Sequence, residues 1–498
     1  MERKKMSDIF QKDSYIDTFG NVYQVDLEHQ QSGGQGTFMR TMTNDLALKV
    51  MHSDNMQTLP VNEHSSEKYM SIRILPIPDH LHVTLPLAPL SDADGYVMRL
   101  LDGMIDFHSA FTLRVSDFAE MATETEALDK PELFRRAHKS KRGKLLYSYM
   151  TTGGLRRRLL AYMKAGAILA QLHTHGLVYC DFSDRNAFIS KNLDFDQVWM
   201  IDADNMEFSE KIKGGFFTPG IAAPELIRGE SKCTFYSDCF AYAVSFFQQL
   251  FHHHPFEGRA YQDLLDRADF ADDVDQIRDE GRLPWILDDE ETSNNGKSFL
   301  LLPDKYVLTN GIRMLFQQTF TVLYDDSKKI FSQMRPSMMQ WVYEAAWAYD
   351  NTVYSEGYGL DYIDEDVNFG ICPYDDKKIN TVRLRSYLLG DDEEKIAMVW
   401  QFTHEILPKD ISVPLRLIEG FICGHEDDTS FSLEQIGGDL IIHSRLLNSV
   451  VAYSEDSDLS TAQFQTAGSF RTSRDKFLIR CQQDDGTIVL IEGEIHGC

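Results

Sequence analysis

The sequence predicts an α+β fold, and three patterns carry that prediction. Residues 21–50 read as strand, glycine turn, strand. Leu155, Leu159, Met163, Ala167 and Leu172 recur at helical spacing, as do Phe240, Ala241, Val244, Phe247 and Leu250 farther on. From Ile379 the texture changes to short apolar or alternating runs between turn signals: 382–389, 397–401, 413–417, 440–444, 449–453, 477–481 and 487–491. Runs of that length and spacing predict a β-sandwich or barrel. A mixed helix-and-strand region followed by a smaller β-rich domain is therefore expected.

Composition narrows the class. The chain has 498 residues, 43% of them hydrophobic, enough for two to three domains that each bury a core. A net charge of -28, spread rather than blocked, argues against nucleic acid or an anionic membrane as the main partner. Its 7 cysteines form no C-x-x-C pair, which suggests a reducing compartment and no structural zinc. The charged start Met1-Glu2-Arg3-Lys4-Lys5 is followed by polar residues, and no run is apolar enough to span a bilayer, so a cytoplasmic location is expected.

Three strings carry the chemistry. Tyr179-Cys180-Asp181-Phe182-Ser183-Asp184-Arg185-Asn186 contains an acid and an amide in D-x-x-x-x-N spacing. The apolar run 198–201 ends in Asp202. Thr218-Pro219-Gly220-Ile221-Ala222-Ala223-Pro224-Glu225 follows. Phosphoryl transfer needs an acceptor hydroxyl in line with the phosphate and cations over the phosphate oxygens. Asp181 can accept the hydroxyl proton, while Asn186 and Asp202 offer the oxygen ligands that Mg²⁺ prefers. Asp and Asn also form turns in any polar stretch; the apolar strand before Asp202 favours a site.

In order, spacing and chemistry these strings resemble the catalytic loop, magnesium strand and activation-segment end of the eukaryotic-type (Hanks-type) Ser/Thr protein kinases. The resemblance implies a bilobal protein-kinase-like fold over 1–349, with a small lobe at about 15–101 and a large lobe at about 102–349. A connector at 350–375 and a β-rich domain of unassigned role at 376–498 follow. It implies ATP and Mg²⁺ as cofactors, a protein substrate, Asp181 and Arg185 as catalytic residues beside Lys49, and Asn186, Asp202 and Asp204 as metal ligands. Thr218, Glu225, Asp238 and Arg335 would be structural: Thr218 bracing towards Asp181, Asp238 holding catalytic-loop amides, and Glu225 pairing with Arg335. The substrate's identity and the oligomeric state stay open.

Nearer the N-terminus, Gln31-Ser32-Gly33-Gly34-Gln35-Gly36 resembles a phosphate-covering glycine loop, although Gln31 replaces its first glycine. Leu46-Ala47-Leu48-Lys49 resembles V-A-I-K, which makes Lys49 a partner for the α/β-phosphates. Such a lysine needs an acid on the next helix, expected at 61–73, and Glu67 is preferred to Glu63. Met98 and Leu101 bound the hinge that would border adenine.

The chain also departs from the family. Cys180 replaces the arginine that reads an activation-loop phosphate, which implies activity without that switch. Tyr179 takes the usual histidine position, Ser183 replaces a lysine, and Arg185 stands in for it. D-F-G becomes Asp202-Ala203-Asp204, as in divergent bacterial or phage kinases. A pseudokinase or nucleotide-binding scaffold, and a small-molecule phosphotransferase of the aminoglycoside type, remain alternatives.

Overall fold

The computed structural model describes residues 12–496 apart from 33–35, 44, 54, 56, 114–130, 138–139, 215–216, 322–330, 366–368 and 407–409. The fold is mixed α+β with several sheets. The chain forms two compact units, Met1–Ala110 with Ile168–Ser245 and Phe111–Ala167 with Phe246–Cys498. Among the described residues, no helix is long and apolar enough to cross a membrane.

The first unit opens with β1 (Ser14–Ile16), β2 (Val22–Ser32), β3 (Gly36–Thr41), β4 (Leu46–Met51), β5 (Ala88–Pro89) and β6 (Gly95–Arg99), which make a six-stranded sheet in the order β1-β2-β3-β4-β6-β5. Alternation along β4 sorts its side chains between two faces. Leu48 and Val50 are buried with Tyr15, Val25, Met39 and Val97. Ala47 points the other way and packs with Tyr69, Tyr96 and Met98. Lys49 shares that second face, opposite Tyr96 across the β4–β6 ladder. The helix Glu63–Arg73 lends Tyr69 to this face; its N-cap Asn62 accepts the His64 N–H, and Glu63 and Arg73 suit the helix dipole at its two ends.

Three short pairings complete the unit. β7 (Met104–Asp106), β9 (Ala187–Ser190) and β10 (Val198–Met200) form one sheet, and β8 (Leu177–Val178) pairs with β11 (Glu207–Phe208). The helix Gly154–Thr174 ends two residues before Gly176. Gly176 adopts φ +77°, a left-handed conformation cheap only for glycine, and its N–H returns to His173 O at 3.0 Å. The loop from Tyr179 to Asn186 follows directly, between β8 and β9.

The second unit does not follow the boundaries expected from composition. The stretch expected as a connector holds a buried hairpin of β12 (Thr352–Ser355) and β13 (Leu360–Ile363). The β-rich region contains β14 (Thr381–Leu389), β15 (Lys395–Glu405), β16 (Ile411–Pro414), β17 (Thr429–Ile436), β18 (Asp439–Ser444), β19 (Val450–Ser454), β20 (Gln465–Thr466), β21 (Ser469–Thr472), β22 (Lys476–Gln482) and β23 (Ile488–His496). They form a six-stranded sheet, β15-β14-β23-β22-β19-β20, and a four-stranded sheet, β16-β17-β18-β21. The run expected at 413–417 is half strand: β16 ends at Pro414 and a helical turn, Arg416–Glu419, takes over.

Buried ion pairs bind this region to the helices of the same unit. Arg156 meets Glu405 through two bonds of 2.9 and 2.7 Å. Arg416 grips Asp350 at 2.5 and 2.6 Å, and Trp400 Nε1 donates to the same carboxylate at 2.7 Å. Asn351 Oδ1 accepts from Gln401 Nε2 at 2.8 Å and from Thr403 Oγ1 at 2.9 Å. The polar residues that suggested a solvated linker are instead the buried partners of distant arginines and amides.

Candidate active site

Asp181 lies in the loop between β8 and β9. Its Oδ1 accepts the Thr218 hydroxyl at 2.9 Å, and its backbone carbonyl accepts Asn186 Nδ2 at 2.9 Å. Burial pushes the Asp181 carboxyl up, while the Thr218 hydroxyl pulls it down. A carboxylate poised above its ordinary range suits a proton acceptor.

Asp238, near the start of the helix Phe235–Phe251, fixes the loop from beneath. Its carboxylate accepts Tyr179 N at 2.8 Å, Cys180 N at 3.0 Å and His173 Nε2 at 3.1 Å. These bonds hold Cys180 at φ 74°, a left-handed conformation that a side chain rarely adopts. Tyr179 is fully buried and donates its hydroxyl to Ile201 O, tying the loop to the residue before Asp202. The Ile201 N–H returns to Asn186 O at 2.9 Å.

Asp202 is also left-handed, at φ 62° and ψ 42°, and turns the chain into the 3₁₀ turn Ala203–Asn205. Both Ala203 and Asp204 are thereby buried. Lys49 bonds to Asp202 Oδ1 and, at 3.0 Å, to Asp204 Oδ2. Burial pulls the lysine pKa down, but Asp204 and Asp202 outweigh it and the net shift is upward. Asp204 is shifted upward too: burial pushes its carboxyl up to about 6 despite Lys49.

The helical partner expected for Lys49 is corrected. Glu67 is exposed, and Lys49 takes its carboxylates from Asp202 and Asp204 instead. One position along a helix is a turn of about 100°. It is Lys68 that is half-buried, with Nζ 3.2 Å from Asn205 Oδ1. Sequence reasoning also missed Tyr96, whose hydroxyl lies 3.5 Å from Asp202 Oδ1 and whose ring packs on Tyr69. Strand alternation was the available signal, since Tyr96 sits across the ladder from Lys49.

Other expected residues fall as follows. Gly33 and Gly34 lie outside the described residues. Gly36 begins β3, and a Cβ there would sit 3.0 Å from Val50 O, so close strand packing already favours a small residue at this position. Met98 is buried on the Lys49 face, Leu101 is half-buried just past β6, and Arg185 is exposed between Asp181 and Asn186. Glu225 belongs to the first unit and Arg335, which is buried, to the second.

Among the described residues no group of three His, Cys, Asp or Glu side chains is placed to hold a metal. The donor set is two carboxylates and an amide. Asp204 Oδ1 is buried without a hydrogen-bond partner. Asn186 uses Nδ2 on Asp181, which leaves its amide oxygen as the acceptor end. An orphaned carboxylate oxygen beside Asp202 fits a hard divalent cation. No protein-family model matches the chain, and no curated protein matches it.

Proposed function

We propose that the chain is an ATP- and Mg²⁺-dependent protein kinase that transfers a phosphoryl group to Ser or Thr hydroxyls, built on a bilobal kinase-like fold. The observation that carries this reading is the convergence, within one compact unit, of Lys49, Asp202 and Asp204 on one side and Asp181 with Thr218 and Asn186 on the other. In this reading Lys49 holds the α/β-phosphates, and Asp202, Asn186 and Asp204 Oδ1 hold the magnesium, which would neutralise charge on the transferring group. Asp181 orients the acceptor hydroxyl and takes its proton. Thr218 keeps that carboxylate aimed, and Asp238 keeps the loop still.

A pseudokinase is the second reading, and one contact favours it: Lys49 is already bonded to both acids. Incubation with γ-labelled ATP and Mg²⁺, with generic protein substrates or an aminoglycoside as acceptor and nucleotide binding measured alongside, separates the readings. The kinase reading expects label on protein Ser or Thr. Nucleotide binding without transfer would establish the pseudokinase, and label on an aminoglycoside alone would establish a small-molecule phosphotransferase.

A further inference from the structure

A kinase-like lysine is expected to be held by a glutamate on the neighbouring helix, and here that helix presents a lysine. The carboxylate reaches Lys49 from the 3₁₀ turn, as Asp204 Oδ2 at 3.0 Å, with the Asp204 side chain only 4% exposed. The helix Glu63–Arg73 packs against that same turn. Lys68 reaches across to Asn205 Oδ1 at 3.2 Å, and its charge bears on both Asp204 and Asp94. Asp94 in turn accepts from Ser65 and Tyr69 of the helix, each at 3.3 Å. These contacts of Ser65, Lys68 and Tyr69 lead from the helix to the 203–205 turn and to Asp94.

Signs explain the arrangement. Asp202 and Asp204 already surround Lys49, and a third carboxylate from the helix would add repulsion in a poorly solvated site. A cation from the helix is attracted to the same acids. We propose that Lys68 is the positioning residue that registers the 63–73 helix against Asp204, so that Asp204 and Lys68 together replace the Lys49–Glu67 pair with its charges inverted. This inference rests on the phosphoryl-transfer reading only for its kinetic consequences; the helix registration stands without it.

The test compares Glu67→Ala, Lys68→Met, Lys68→Arg and Lys68→Glu in the full chain. Lys68→Met should raise the KM for ATP roughly 3- to 10-fold, the size of one ordinary hydrogen bond, with a smaller change in kcat. Lys68→Arg should restore most of the loss, Lys68→Glu should exceed it, and Glu67→Ala should leave KM unchanged. In the nucleotide-free protein, amide hydrogen exchange over 63–73 should quicken in Lys68→Met and not in Glu67→Ala. A Glu67→Ala variant as impaired as Lys49→Ala, beside a silent Lys68→Met, would overturn the proposal. Should the wild-type chain neither bind nor turn over ATP, the kinase reading falls, and hydrogen exchange alone decides whether Lys68 registers the helix.

Discussion

The Thr218 hydroxyl donates to Asp181 Oδ1 at 2.9 Å, across 37 residues of chain. The bond ties the end of one segment to the proposed base of another. Thr218→Ala should therefore lower kcat roughly 10- to 100-fold, as for a lost hydrogen bond to a charged group, while Thr218→Ser keeps most of the activity. Steady-state assays of the two variants check it, and equal loss in both would point to the methyl group instead.

Asp181→Ala and Asp202→Ala should fail differently. The first removes the hydroxyl-orienting group and should cost ~10²–10⁴-fold in transfer with ATP binding kept. The second removes a Mg²⁺ ligand and a partner of Lys49, so the magnesium-dependent part of an ATP thermal shift should shrink as well. Indistinguishable thermal shifts would contradict the division of roles.

Activation-segment phosphorylation should not matter. Cys180 occupies the position next to Asp181 where a phosphate-reading arginine would stand, and its thiol is buried against Val178 O. Ser209 is half-buried, with its N–H on Gly176 O and its carbonyl accepting Lys232 Nζ. Phosphatase-treated protein should keep its activity and Ser209→Ala should be nearly silent. A large loss on dephosphorylation, restored by preincubation with ATP, would show that another basic residue reads a phosphate.

The Arg156–Glu405 pair gives the second unit an acid sensitivity. Burial alone would raise the Glu405 carboxyl, but Arg156 holds it down at about 2, below its ordinary value of 4.5. A depressed folded-state pKa means stability that is complete above about 4.5 and is lost as pH falls towards about 2, about 3 kcal/mol in all. Asp361, pushed up to about 6 by burial, works in the opposite sense and weakens the fold as pH rises from about 4 to 6. Glu405→Gln should be less stable at pH 7, yet lose less on going from pH 5 to pH 3 than the parent does in matched denaturant melts.

Arg416→Met should cost about 3–5 kcal/mol because it strands the buried Asp350 carboxylate. The double variant Asp350→Leu/Arg416→Met should recover part of that, since an apolar pair leaves no buried charge behind. A chain ending at residue 375 loses Arg416 and Glu405 together and should fail to melt cooperatively. A soluble, cooperative truncation would restore the separable-domain expectation.

The sequence made some features legible because they are local. The D-x-x-x-x-N loop and the apolar run before Asp202 each depend on a few adjacent residues. The lysine's partner was not legible. The helix Glu63–Arg73 is mostly polar and buries only Tyr69 and Ile72 among its side chains, so periodicity cannot say which of Glu67 and Lys68 faces inward. The second unit was misread for a related reason. Asp350, Asn351 and Asp361 look solvated until Arg156, Gln401 and Arg416 are brought to them from up to 205 positions away.

The placement of β23 has a consequence for biosynthesis. It lies inside its sheet, between β14 and β22, and not at an edge. A ribosome must therefore deliver residue 496 before that sheet can close, whereas every residue of the first unit has been made by Ser245. Through that interval Arg156 is present without Glu405, its partner 249 positions later. The first unit can settle early, while the second waits on nascent surface that a cell must keep from aggregating.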